Sequence, residues 1–172
     1  MQNWVPKGEG GMVAVLGSTV ENIEQILKEN KNNFTAQIAN DNSEGQIVLS
    51  GKNKDLADLS ALLKKRKVKN IKLPVSAPFH CSLMNKATEI MSNELKKIDF
   101  KKSENILISN VTADEILGIE ELKELLIKQI ENRVRWRESI KYMINKGVDH
   151  CVERGTGKVL SGLVKRIDKN VK

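Results

Sequence analysis

The sequence predicts an α/β protein in two parts: a ferredoxin-like β-α-β-β-α-β lobe over residues 11–73, then part of a parallel α/β sheet over residues 74–172. Three observations carry this expectation. Short apolar runs bounded by turn residues recur at 12–16, 34–39, 46–50 and 70–75. Apolar residues at helical spacing fill the first and third gaps between those runs. Beyond residue 74, apolar runs at 105–109 and 148–152 alternate with helical patterns, as parallel strands do. Residues 1–10 read as an irregular connector.

Each element has a local reason. Met12-Val13-Ala14-Val15-Leu16 before Gly17 reads as a buried strand, and Ser18 with Glu21 three residues on predicts a capping box for a helix over 19–29. A second strand is expected at 34–39. The polar run 40–45 reads as a turn, which makes a hairpin with the strand at 46–50. Asn53 is the expected cap of a helix over 54–65 with Leu56, Leu59, Leu62 and Leu63 on one face, and a fourth strand follows at 70–75.

In the second part, Ser82 is the expected N-cap of a helix whose stripe is Met84, Ala87, Met91, Leu95 and Ile98. A helix at 119–132 turns Ile119, Leu122, Leu125, Leu126 and Ile130 inward. Trp136, Ile140, Met143 and Ile144 mark another, and Leu160, Leu163, Val164 and Ile167 a last one, after a tight loop at 155–157. Two strands with these helices would leave a sheet edge open and apolar surface uncovered, notably at Leu122, Leu126, Trp136, Leu160 and Leu163.

Composition narrows the function classes. A hydrophobic content of 40% supports a real core. The apolar runs are too short to span a bilayer and no signal-peptide pattern opens the chain, so the expectation is a cytoplasmic protein with no membrane partner. A net charge of +7 favours acidic partners, yet aromatic content of 3% leaves little for bases to stack on, and no nucleic-acid partner is expected. Each of the two cysteines, Cys81 and Cys151, follows a histidine, His80 and His150. Neither pair has a further ligand at zinc-site spacing, so two buried free thiols are expected, and no metal.

The stretch 73–84 stands out. Pro74 and Pro78 bias the preceding residues away from helix, so the chain should run extended to His80 and turn helical after it. In α/β folds chemistry collects where a strand gives way to a helix. Histidine is also the side chain that titrates near neutrality unperturbed. His150 lacks such a setting and is expected to be a satisfied strand residue.

Several stretches then add up to a family: 39–51, 75–84, Ser109-Asn110-Val111-Thr112-Ala113, Gln129, Asn132, Val134-Arg135-Trp136 and 153–163. In order and spacing the chain closely resembles the malonyl-CoA:acyl carrier protein transacylases of bacterial fatty acid synthesis, over essentially its whole length. The resemblance implies a ferredoxin-like small subdomain inserted in an α/β-hydrolase-like large one, of whose parallel sheet residues 74–172 would be the C-terminal part. It implies ping-pong malonyl transfer through a serine ester, from coenzyme A to the phosphopantetheine thiol of acyl carrier protein, with no cofactor. By resemblance His80 is the base and then the acid, Gln129 holds its imidazole through a backbone carbonyl, Asn110 lines the neighbourhood, and Phe79 restricts the acyl α-carbon. Lys158, Lys165 and Arg166 are candidates for a basic face toward the acidic carrier protein.

The departures are specific. No G-x-S-x-G occurs in the 172 residues, so no serine sits in a nucleophile elbow. The first residues resemble the point just after the family's nucleophile and its carboxylate-binding arginine, so the expectation is a C-terminal portion, inactive alone, that lacks these and the oxyanion-hole loop and takes the missing N-terminal part as partner. Glu44, Arg133 and Thr156 stand where the family usually has proline, and Lys67 where it has glycine. Alternative readings are a non-catalytic ferredoxin-like binding module and a polyketide-type acyltransferase fragment.

Overall fold

The computed structural model describes residues 8–75 and 77–172. Most of the expected irregular N-terminal stretch, and Ser76 on the extended approach to His80, lie outside the described residues. The order is β1 (Gly10–Leu16), α1 (Val20–Glu29), β2 (Gln37–Ser43), β3 (Gln46–Lys52), α2 (Asn53–Lys65), β4 (Lys69–Lys72), a 3₁₀ turn (Ser82–Met84), α3 (Asn85–Leu95), α4 (Ile119–Lys128), α5 (Trp136–Asn145) and α6 (Val159–Ile167). The strands form one antiparallel sheet, ordered β2-β3-β1-β4.

Strand alternation gives this sheet two apolar faces. Val13, Val15, Ile47 and Leu49 pack against Ile23 and Ile26 of α1 and Leu56, Leu59 and Leu63 of α2. On the other face Met12, Ala39 and Val48 take Leu73, Val75 and Phe79. The chain leading to His80 therefore lies directly on the sheet. Its approach is tight: a Cβ on Gly10 would come within 2.4 Å of Pro78 Cγ.

The expected second strand is shifted. β2 runs Gln37–Ser43 rather than 34–39, and the hairpin turn is only Glu44-Gly45, with Gly45 at φ 70°. The polar run 40–43 is not a turn, because Ala39, Asp41 and Ser43 are all buried. Asp41, 1% exposed, is bonded by Arg137 Nε at 3.0 Å to each carboxylate oxygen, with Nη2 at 2.8 Å. A buried carboxylate is tolerated only with such a partner. Two register shifts bend β2 on either side of Asn40-Asp41. They let Val134 pair with its outer edge: Val134 N donates to Ala39 O at 2.8 Å and Asp41 N to Val134 O at 2.9 Å.

Caps also differ. Thr19, not Ser18, caps α1, its hydroxyl accepting from Asn22 N at 3.2 Å. Lys52 precedes α2, while the Asn53 side chain donates to Gly8 O and Gly10 O and so ties the helix start to β1. Ser82 opens the 3₁₀ turn instead of capping α3. β4 stops at Lys72: Leu73 N still bonds Met12 O, but Pro74 has no N–H to continue. The end of α2 is closed by Val68 N to Leu63 O and Lys67 N to Lys64 O, which places Lys67 at φ 59°. A glycine is the residue suited to that conformation.

The larger correction concerns the second part. Neither 105–109 nor 148–152 forms a strand among the described residues. Ile108 makes a single bridge to Glu115, and the backbones of Asp149 and Cys151 bond that of Lys172. A strand exists through its ladder partners, and among the described residues neither segment has a ladder beyond that one bridge. His150, expected in a strand, is exposed beside Asp149 at 2.8 Å, and Cys151 is only partly buried. Instead α5 and α6 pack on each other and on β2, and α3 on α4. Leu163 is buried and Trp136 joins the α5–α6 core, whereas Ile106 (73%), Leu117 (86%) and Val152 (84%) are exposed. α4 ends at Lys128, short of 132, where Asn132 Nδ2 bonds Lys128 O.

Two outcomes follow from these contacts. Arg137→Met strands the Asp41 charge in the core and should lower stability by about 3 kcal/mol in urea unfolding, and adding Asp41→Leu should recover part of the loss. Lys67→Gly relieves the left-handed side chain and should raise stability by about 1 kcal/mol in the same assay.

Candidate active site

Residues 77–84 cross the sheet face and turn sharply at His80, whose φ of 57° is left-handed. A non-glycine residue stays there only when its surroundings hold it, and such residues gather at functional sites. Phe79 is wedged between two clusters, Met12-Ala39-Val48 on the sheet and Met84-Ala87-Ile130 between the 3₁₀ turn, α3 and the segment after α4. With Phe79 fixed inward, the next side chain is swung to the opposite side.

There His80 Nδ1 lies 2.8 Å from the backbone oxygen of Gln129. A carbonyl oxygen only accepts, so Nδ1 carries the hydrogen and the neutral ring keeps its lone pair on Nε2. Among the described residues nothing is bonded to Nε2. His80 lines an open cavity of about 380 Å³ with Leu27, Gln37, Ile38, Asn132 and Arg133 among its walls. Burial pushes the imidazole pKa below its ordinary value, with the Gln129 bond opposing. The result is a half-buried imidazole, neutral near pH 7, able to accept a proton at Nε2.

The sequence-predicted residues are not all gathered here. His80 and Gln129 meet through the backbone oxygen, while the Gln129 side chain turns away to donate to Asn132 O at 3.2 Å. Asn110 sits in the turn 109–113, where its carbonyl takes the Arg135 amide at 2.8 Å. It neither bonds His80 nor lines the cavity. Cys81 is buried, donates to Pro78 O at 3.2 Å, and has its thiol pKa pushed up by burial, so it is not an activated nucleophile. No hydroxyl or thiol is bonded to His80 among the described residues. Of the basic candidates, Lys165 Nζ bonds Val171 O and Arg166 bonds Gln46.

Sequence reasoning missed Gln37, Asp41 and Arg137. The signal for Asp41 was the period-two spacing of Ala39, Asp41 and Ser43, hidden by their turn-like chemistry. Gln37 accepts the Ser82 amide at 2.7 Å, and nothing in a lone glutamine announces that bond.

Comparison with known proteins finds relatives along the whole chain. The chain is 42% identical over 174 residues to the malonyl CoA-acyl carrier protein transacylase of Bacillus subtilis, covering all of itself and 55% of that protein. It is 36% identical to that of Escherichia coli, over 97% of itself and 54% of the relative. The crystal structure of the transacylase from Clostridium perfringens superimposes with a TM-score of 0.96 at 43% identity, covering the whole chain and 54% of that structure. This chain is a homologue of the malonyl CoA-acyl carrier protein transacylases. It spans about half the length of the relatives it matches. No family model matches. A more distant transacylase, at 32% identity and a TM-score of 0.92, was solved in complex with a type II PKS acyl-carrier protein. Among the described residues no helix is long and apolar enough to cross a membrane.

The depressed His80 pKa makes this chain acid-sensitive in a defined direction. The folded state binds the proton less readily than the unfolded chain, so this contribution is intact above the ordinary histidine value near 6.5 and is lost as pH falls through the folded pKa. His80 should titrate by NMR below that ordinary value, and His80→Gln should flatten this part of the acid limb of stability. A His80 titration at or above it would contradict the burial argument.

Proposed function

We propose that this chain supplies the base and part of the carrier-protein surface of a malonyl transferase, moving malonyl from coenzyme A to the phosphopantetheine thiol of acyl carrier protein in fatty acid synthesis. The observation that supports this best is the Nδ1–Gln129 bond, which leaves Nε2 unprotonated beside an open cavity. In this reading residues 11–73 are the ferredoxin-like small subdomain and 74–172 the C-terminal part of the α/β-hydrolase-like large one. The nucleophilic serine comes from outside these residues, since no G-x-S-x-G lies within them.

His80 Nε2 takes the serine proton as the oxygen attacks the malonyl thioester, and the imidazolium returns that proton to the departing coenzyme A thiolate. In the second half Nε2 takes the proton of the carrier thiol as sulfur attacks the ester, and gives it back to the serine oxygen. A backbone carbonyl in place of a carboxylate orients the ring without adding a charge that would hold it protonated. Phe79, fixed between two clusters, leaves little room for an α-methyl group and so favours malonyl over methylmalonyl. The relative solved with a type II PKS carrier protein supports acyl carrier protein as acceptor and keeps polyketide synthesis as the second setting.

The chain alone, incubated with malonyl-CoA, should show no malonyl adduct by intact mass. Mixed with the part of the C. perfringens relative that the superposition leaves uncovered, it should transfer malonyl to acyl carrier protein, and His80→Ala should abolish the transfer. An adduct on this chain alone, or transfer that survives His80→Ala, would sink the reading.

A further inference from the structure

Beyond its bond to Gln129, His80 has two anchors on its C-terminal side. Ser82 N donates to Gln37 Oε1 at 2.7 Å, and Ser50 Oγ donates to Cys81 Sγ at 3.5 Å. The two acting residues are neighbours, because Gln37 and Ser50 stand directly opposite each other in the β2–β3 ladder. Their side chains therefore leave the same face of the sheet, the one on which the His80 segment lies. Ser50 is fully buried and Cys81 nearly so, while Gln37 also lines the His80 cavity. Cys81 in turn donates to Pro78 O, so both sides of the left-handed residue are tied to one rung of the sheet.

We propose that Gln37 and Ser50 form a cross-strand clamp that sets the His80 backbone and hence aims Nδ1 at the Gln129 carbonyl, making both of them positioning residues for the proton-transferring nitrogen. The proposal deepens the transferase reading and rests on it for its importance, but not for its geometry. Without the clamp the segment 80–82 is free to leave the left-handed conformation, which a histidine does not hold unaided. The imidazole then loses its single acceptor and redistributes its hydrogen between the two nitrogens. A role limited to capping the 3₁₀ turn would leave the tautomer untouched.

The test uses the full chain and reads the imidazole by NMR at neutral pH. Wild type should show His80 as one tautomer, with hydrogen on Nδ1. Gln37→Met keeps side-chain length but removes the acceptor. It should speed Ser82 amide exchange roughly tenfold, the worth of one ordinary hydrogen bond, and give a mixture of His80 tautomers. Gln37→Glu restores an acceptor oxygen and should restore both readings. Ser50→Ala, a loss of one hydroxyl, should mix the tautomers as well and serves if Gln37→Met fails to fold. A single Nδ1–H tautomer in both Gln37→Met and Ser50→Ala, or no rescue by Gln37→Glu, would overturn the clamp. A failed malonyl transfer assay with the tautomer responding as stated would overturn the enzymatic reading instead.

Discussion

The ion pair between Asp41 and Arg137 is the constraint on which the arrangement turns. It holds α5 to β2 through a carboxylate with 1% exposure, where an unpaired charge would not be tolerated. One residue-pair away, Val134 adds itself to the outer edge of β2, so the segment between α4 and α5 has a fixed register along the strand. That segment starts with Gln129. The carbonyl that orients His80 is thus placed by a chain of contacts running back to the edge strand of the sheet, while His80 itself lies on that sheet's face through Phe79 and the Gln37–Ser50 rung. Base and orienting group are referred to one platform, from its edge and from its face.

The same junction absorbs two departures from the family pattern. Glu44 and Arg133 stand where the sequence resemblance leads one to expect proline. Glu44 bonds Arg137 at 3.1 Å and Lys141 at 2.7 Å, and Arg133 bonds Glu24 of α1 at 2.9 Å. Exposed pairs of this kind contribute little individually. Here they surround a buried pair and cross between the sheet lobe and the α4–α5 region, so they add direction to a contact that Asp41 already requires. Lys67 differs: its left-handed backbone is imposed by the closure of α2, and among the described residues its side chain has no ion partner.

Much of this was legible from residue spacing. β1, β3, α2, α5 and α6 lie close to where apolar periodicity placed them, because each buries one face against its neighbours. β2 was misplaced because Asn40-Asp41-Asn42-Ser43 has turn chemistry, and its ladder with β3, with the Arg137 and Val134 contacts beside it, makes it a strand. The segments 105–109 and 148–152 have strand-like composition but, among the described residues, no ladder, and propensity alone does not make a sheet. At the site, His80 was legible from its prolines and its place before a helix, and its tie to Gln129 from the family resemblance. Gln37 and Ser50 were not, since their contribution lies in a cross-strand register that no local pattern encodes.

The exposed apolar residues bear on the same point from the other direction. Ile106, Leu117 and Val152 lie in the segments that failed to form strands or beside them, and the chain matches only about half the length of its relatives. His80 and Gln129, by contrast, are already oriented by contacts internal to these residues. The pairing of His80 with Gln129 is therefore preorganised by the sheet lobe and its β2 junction. In the proposed reading such a base needs only to be met by a nucleophile, because the backbone oxygen of Gln129 orients its ring beforehand.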